Sequence, residues 1–289
     1  MSNRIIIGTA QFGYDYGIRN RSGRTNDFDF KKIIELAQKK KFIYLDTSKE
    51  YGDSEKRIGS LKKSPKWKII TKINLKNIYN NNLEKLLHNF VDQLSDSKKK
   101  MNVKKIHGLL LHNVDFMNSV NGENIYKALK QLKKNNLINK FGYSIYNFNN
   151  LKKICRIFKP DIIQCPLNIF DRRLLQRGNL TYLNKQKIEI HVRSIFLQGL
   201  LLFDKTPKKF KKWNNLFKKW KDWTNLKKIS KFNACLNFVM NVKGVNKVLI
   251  GVDNFKHFTD ITEFKSKKKI QFPQYLNSND KKLINPSLW

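Results

Sequence analysis

Acidic residues are scarce in this chain: 22 Asp and Glu stand against 59 Lys and Arg, a net charge of +37 over 289 residues. Such an excess concentrates anions near the surface and could attract nucleic acid or acidic membranes. The lysines run through every segment, beside many Asn and Ile. That reads as compositional drift on exposed faces rather than one basic patch, and with no recognisable nucleic-acid module no specific nucleic-acid partner is expected. Cysteine is nearly absent. Cys155, Cys165 and Cys235 are an odd count with no CxxC pair and no histidine at metal spacing, so neither zinc nor a disulfide framework is expected, and reduced thiols fit a cytoplasmic protein. Long hydrophobic runs are missing as well. Nothing approaches the ~20 apolar residues of a membrane span; the best stretch, SIFLQGLLLF, is short and carries Gln198. The start, MSNRIIIGTAQFG, has one positive charge and three consecutive large aliphatic residues, too few for a secretory signal. With only 13 Gly and 6 Pro beside 40% hydrophobic and 12% aromatic residues, the composition fits a folded chain with a sizeable core rather than a disordered one.

What is present is an alternation. Short apolar, β-branched runs at residues 4–8, 42–46, 67–71, 106–111, 140–143, 161–164, 188–193 and 247–250 read as strands. Between them lie longer segments with apolar residues at helical spacing: 28–40, a helix opening at 53 and running to about 62, then 82–94, 122–134, 151–158, 178–186, 230–241 and 254–264. Strands alternating with helices make a parallel sheet. Eight repeats in a chain near the ~250 residues typical of an α/β barrel predict a single-domain (β/α)8 TIM barrel over 1–289, with a long connection at 199–228 and a tail at 265–289. An open doubly wound sheet would need G-x-G-x-x-G after its first strand, and Gly8-Thr9-Ala10-Gln11-Phe12-Gly13 does not supply it.

On that map, polar residues with chemical potential fall at the C-terminal ends of successive strands, where an α/β barrel keeps its chemistry. Asp46 and Tyr51 follow the second strand, Lys72 the third and His112 the fourth. These ends neighbour one another in space although they are distant in sequence.

These stretches, LDTSKEYGDSE, ITK ending at Lys72 and LLLHN containing His112, resemble the Asp, Tyr, Lys and His motifs of the aldo-keto reductases, and the resemblance runs from Gly8 to about Phe264. It implies an oxidoreductase that binds NADP(H) or NAD(H) without a Rossmann fold and reduces a small-molecule aldehyde or ketone. A carbonyl receiving a hydride develops negative charge on oxygen, which calls for a proton donor in an electropositive site. The resemblance thus makes Tyr51 the candidate acid, Lys72 the ammonium expected to lower its pKa, Asp46 the carboxylate that holds Lys72, and His112 the group that orients the carbonyl. Gly8 and Thr9, in GTAQFG, would lie against the cofactor. Ser144, in FGYSIYN, and Gln164, in IIQCPLN, match the ligands of the nicotinamide carboxamide, although Ile145 stands where the family has Asn. RSIFLQGLL resembles the segment after the seventh strand, giving Ser194, Phe196 and Gln198; Arg193 occupies a position at which many members stack an aromatic ring on the nicotinamide, and a planar guanidinium can stack too. LIGVDNFKHF resembles the adenosine-phosphate segment: Gly251 and Val252 would bring backbone toward phosphate at a helix start, and Lys256 and His257 favour NADP(H) over NAD(H), whereas Asp253 does not. GTAQFG, YGI at 16–18, NIFDRR and RSIFLQGLLL further resemble a bacterial subgroup linked with surface-sugar (polysaccharide) biosynthesis, so a sugar-derived carbonyl is the substrate expectation.

Two other readings stay open on the sequence. The barrel could bind cofactor without catalysis and act as an interaction or regulatory subunit. Alternatively, KKFKKWNNLFKKWKDW at 208–223, which sets Phe210, Trp213, Phe217, Trp220 and Trp223 at helical spacing among lysines, could lie on an anionic membrane. Burial of that stripe against the barrel is the expectation.

Overall fold

The computed structural model describes residues 2–61, 67–75, 82–266 and 270–289. It is a closed barrel of eight parallel strands in sequence order, each pairing with the next and β8 closing on β1, the (β/α)8 fold expected from the alternation. In chain order the elements are β1 (Ile5–Gly8), α1 (Ala10–Gly13), α2 (Asp27–Lys39), β2 (Tyr44–Asp46), α3 (Ser54–Gly59), β3 (Lys68–Ile73), α4 (Leu83–Met101), β4 (Ile106–Leu111), α5 (Gly122–Lys134) and β5 (Ile138–Ser144). They continue with α6 (Leu151–Ile157), β6 (Ile162–Pro166), α7 (Asn179–Lys185), β7 (Glu189–Arg193), α8 (Asn214–Leu226), α9 (Lys231–Met240), β8 (Lys247–Gly251), α10 (Phe255–Glu263) and α11 (Lys281–Ile284). The helix expected to run to about 62 ends at Gly59, with Ser60 as its cap, and residue 62 itself lies outside the described residues.

Burial on both faces explains why the strands are near-continuous apolar runs. Ile6, Tyr44, Ile70, Leu110 and Ile162 form an inner cluster, while the neighbours Ile5, Ile7, Leu45, Ile69, Leu109, Leu111 and Ile163 belong to the larger core shared with the helices. Gly142 is obligatory where β5 meets β6: a Cβ there would lie 2.1 Å from the Ile162 carbonyl oxygen. Helix starts follow their caps. Asn26 Oδ1 accepts from the Asp29 amide at 2.8 Å and Asn82 Oδ1 from that of Glu84 at 2.7 Å, each satisfying an amide that the helix itself leaves free. α4 continues a further seven residues past the expected end at 94, because Ser97 and Met101 are buried on the same face and Asn102 terminates it in a left-handed turn at φ 52°.

The connection at 199–228 contains α8, and its aromatic stripe is spent on the barrel. Phe210, Phe217, Trp220 and Trp223 are buried. The Trp220 indole donates to the Leu201 carbonyl at 3.0 Å and lies parallel to Trp223 at 5.6 Å between centroids. The tail joins the same layer: Trp223 meets Phe272, Trp213 Nε1 donates to Asp280 Oδ2 at 3.0 Å, and the Ser278 amide donates to the Phe170 carbonyl. Among the described residues no helix is long and apolar enough to cross a membrane.

Candidate active site

A cavity of about 620 Å³ opens at the C-terminal end of the strands, within the range of small-molecule sites. Asp46, Tyr51, Lys72 and His112 all line it, although they come from the ends of β2, β3 and β4 and the loop after β2. Gly8, Thr9, Ser144, Gln164, Arg193, Ser194, Phe196, Gln198, Gly251, Lys256 and His257 line the same cavity. Val252 does not: it is 1% exposed in the core, and its carbonyl faces the Thr25 hydroxyl at 3.4 Å.

The centre of the site is a buried ion pair. Lys72 Nζ donates to Asp46 Oδ1, with Lys72 2% and Asp46 1% exposed. Lys72 also donates to the Thr47 carbonyl at 3.0 Å, and Gln164 Nε2 donates to Asp46 Oδ2 at 2.7 Å. Thr9 fixes the strand end beneath them, with its amide and hydroxyl both donating to the Asp46 carbonyl at 3.0 and 2.9 Å. Lys72 Nζ sits 5.0 Å from the Tyr51 ring centroid, and the His112 ring meets Tyr51 edge-on at 6.3 Å. Glu50 Oε2 lies 2.8 Å from His112 Nδ1, an ion-pair distance without the alignment of a hydrogen bond.

The electrostatics differ from the expectation that Lys72 lowers the Tyr51 pKa. Burial pushes the phenol above its ordinary value and the Asp46 carboxylate adds to the rise, with the Arg193 guanidinium opposing both. The reason is visible in the geometry: the Lys72 charge is spent on Asp46, so desolvation prevails. Burial also lowers the Lys72 pKa against the pull of Asp46, and burial with the Lys72 ammonium lowers that of His112. Tyr51 is therefore a protonated phenol at neutral pH.

Several residues in or behind the cavity wall escaped the sequence reading, Tyr16 and Tyr146 lining it and Gly13 and Tyr14 standing behind Tyr51. Gly13 backs directly onto the tyrosine loop: a Cβ there would stand 1.6 Å from the Tyr51 carbonyl oxygen. Tyr14 packs on Tyr51 at 6.2 Å, Tyr16 accepts from Gln198 Nε2 at 3.2 Å, and the Tyr146 ring lies 3.8 Å beneath the Arg193 guanidinium. Only the second glycine of GTAQFG hinted at a close backbone approach; long-range aromatic contacts leave no local pattern. After β7 the chain folds tightly, with Ser194, Leu197, Gln198 and Gly199 at φ 57°, 50°, 53° and 87°. Three non-glycine residues in that region are costly, and such strain gathers at ligand-binding walls. Among the described residues no group of three His, Cys, Asp or Glu side chains could hold a metal ion, and the three cysteines are buried thiols.

A closed parallel barrel with a cavity at its C-terminal rim defines the α/β-barrel class, in which that rim is where the chemistry sits. The chain belongs to the aldo/keto reductase family, whose sequence profile matches residues 4–275. It is accordingly an oxidoreductase of a nicotinamide-dependent family. It is similar in fold to the glycerol dehydrogenase AKR11B4 from Gluconobacter oxydans, with 20% identity, a TM-score of 0.71 and 92% of this chain covering 88% of that one. It is also similar to the aldo-keto reductase AKR11C1 from Bacillus halodurans in its holo form, with 16% identity, a TM-score of 0.74 and 99% of this chain covering 93% of that one. No curated protein matches the sequence.

The residues present fit a nicotinamide cofactor. Gln164 Oε1 and Gln11 Oε1 are buried on the cavity wall without a hydrogen-bond partner among the described residues, which an incoming amide donor would satisfy. Gly251 packs against the Gln11 amide, which would have to shift for a Cβ that would stand 2.7 Å from its Nε2. Lys256 and His257 lie in the first turn of α10, capped by Asn254, where backbone N–H groups favour phosphate.

Proposed function

We propose that the protein is a NAD(P)(H)-dependent carbonyl reductase that converts an aldehyde or ketone to an alcohol, with Tyr51 as the general acid. The observation that carries this reading is the convergence of a protonated Tyr51, the Asp46–Lys72 ion pair and His112 on one cavity wall. The bound cofactor supplies the hydride. Tyr51 gives its proton to the oxygen on which negative charge grows; an alkoxide is more basic than a phenolate, so a raised phenol pKa leaves the transfer downhill. The Arg193 guanidinium, whose charge opposes the rise in the Tyr51 pKa, stabilises the phenolate that remains, and Asp46 with Thr47 holds Lys72 in position. His112 orients the carbonyl in its neutral form, consistent with its lowered pKa.

Ser144 and Gln164 hold the nicotinamide carboxamide, Gly8, Ser194, Phe196 and Gln198 wall in the cofactor, and Gly251, Lys256 and His257 face its phosphates. The two basic residues favour NADP(H), although His257 Nδ1 already lies 3.3 Å from Asp253 Oδ2. The substrate is a small carbonyl compound, sugar-derived by the resemblance of RSIFLQGLLL and its companion stretches, and the protein works in the cytoplasm. Titration with NADPH and with NADH, followed by nicotinamide fluorescence and then aldehyde turnover, tests the reading. Tighter binding of NADPH with turnover is the expected result; absence of binding by both cofactors contradicts it.

A further inference from the structure

We propose that Arg193 recognises an oxyacid group on the substrate, so that the carbonyl compound taken by this site carries a carboxylate or a phosphate. The inference rests on the reductase reading and adds the substrate class to it. Arg193 lines the cavity and is 8% exposed, yet no carboxylate among the described residues pairs with it. Burying an unpaired charge is costly, and a protein that does so in a binding cavity has left the counter-charge to the ligand.

The guanidinium is held ready rather than neutralised. Its Nη2 donates to the Ile145 carbonyl at 3.0 Å, its Nη1 to Ser194 Oγ at 3.2 Å, and its face rests on Tyr146 at 3.8 Å. These two bonds use two of five N–H donors, and all its fixed partners are neutral. The nearby carboxylates are committed elsewhere: Asp46 to Lys72 and Gln164, Glu50 to Asn74 and His112, and Asp171 to Arg173. Of the other two buried arginines only Arg57 has a carboxylate partner; Arg172 lacks one too, so it is the place on the cavity wall that sets Arg193 apart. Arg57 pairs with Asp27 at 2.7 Å, and Arg172, away from the cavity, donates to the Ile169 and Phe272 carbonyls and so ties the tail to the barrel. Arg193 is the buried guanidinium that faces open space, and its charge reaches Tyr51, Lys72 and His112. An anion seated on its free edge therefore lies beside the group that protonates the carbonyl.

The diffuse positive surface would also draw anions, but salt separates the two effects because surface fields are screened and a buried pair is not. The test is calorimetric titration of the full chain, saturated with NADP+ so that the cofactor's own phosphate positions are filled, with succinate and with inorganic phosphate. Saturable binding of one anion that survives about 0.5 M salt is expected; which anion binds distinguishes carboxylate from phosphate. Arg193→Met should weaken it about 10- to 100-fold and Arg193→Lys by less, because the ammonium keeps the charge and loses the fork. Lys208→Met, on the exposed surface away from the cavity, should leave it unchanged. A matched kinetic comparison of succinic semialdehyde with butanal should show the same preference for the anion in the wild type. Absence of anion binding, or equal binding by folded Arg193→Met and Arg193→Lys proteins, overturns the proposal. Reduction of butanal as efficient as that of succinic semialdehyde, with no anion bound, overturns it while leaving the reductase reading intact. Failure to reduce any aldehyde with anion binding at Arg193 intact would instead overturn the reductase reading.

Discussion

Replacing Lys72 by Met isolates the contribution of the buried ion pair. Lys72 and Asp46 are 2% and 1% exposed, so removal of the ammonium leaves a carboxylate in the interior with only the Gln164 amide for company. Breaking one side of such a pair costs about 3–5 kcal/mol, because the remaining charge loses its partner without regaining water. The Thr47 carbonyl, which accepts from Lys72 at 3.0 Å, loses a donor too. In a chain of this size about 2 °C of melting temperature accompanies each kcal/mol, so Lys72→Met should melt roughly 6–10 °C lower. Asp46→Asn added to Lys72→Met removes the stranded charge and should recover about 2 kcal/mol, a coupling read from the double-mutant cycle. Urea unfolding of the wild type, both single mutants and the double mutant gives the four free energies. A Lys72→Met protein within about 1 kcal/mol of wild type, or a double mutant no more stable than Lys72→Met, would refute the reasoning, since the pair would then not be desolvated in the way its burial implies.

Two further predictions concern the surroundings of the site and the far end of the barrel. Gly13→Ala forces the Tyr51 backbone away from a Cβ that would stand 1.6 Å from its carbonyl oxygen; a displacement near 1 Å should lower kcat about 10²-fold, measured beside a melting curve that shows the protein folded. His107 is held neutral by burial and by the Lys140 ammonium, which bring its pKa down to about 4. The unfolded chain binds a proton at His107 near pH ~6.5, so acidification from there to about pH 4 should remove stability, on the order of 1–2 kcal/mol once solvent screening of this half-buried ring is allowed for. That part of the pH dependence should vanish in His107→Gln, and parallel stability curves for the two proteins would contradict the assignment.

The barrel was legible because each strand is an apolar run buried on both faces and each helix an amphipathic stretch between turn residues; residues 106–111 and 122–134 coincide with β4 and α5. The convergence of Asp46, Tyr51, Lys72 and His112 followed from topology, since strand ends that are far apart in sequence share one rim. What stayed hidden depends on contacts between distant segments. The commitment of Gln164 to Asp46, 118 residues away, and the cushioning of Arg193 on Tyr146 carry no local signature. The direction of the Tyr51 pKa was misread for a related reason: spacing reveals that a lysine is near but not that its charge is already balanced.

The most direct test of the central claim is single-turnover aldehyde reduction by Tyr51→Phe, preloaded with the reduced cofactor and compared with wild type. The proton donor is lost while the ring, its contact with His112 and the Asp46–Lys72 pair remain, so cofactor binding should persist while the hydride-transfer step falls by about 10²- to 10⁴-fold. Near-wild-type reduction by Tyr51→Phe would contradict the account, because the proton would then come from another group.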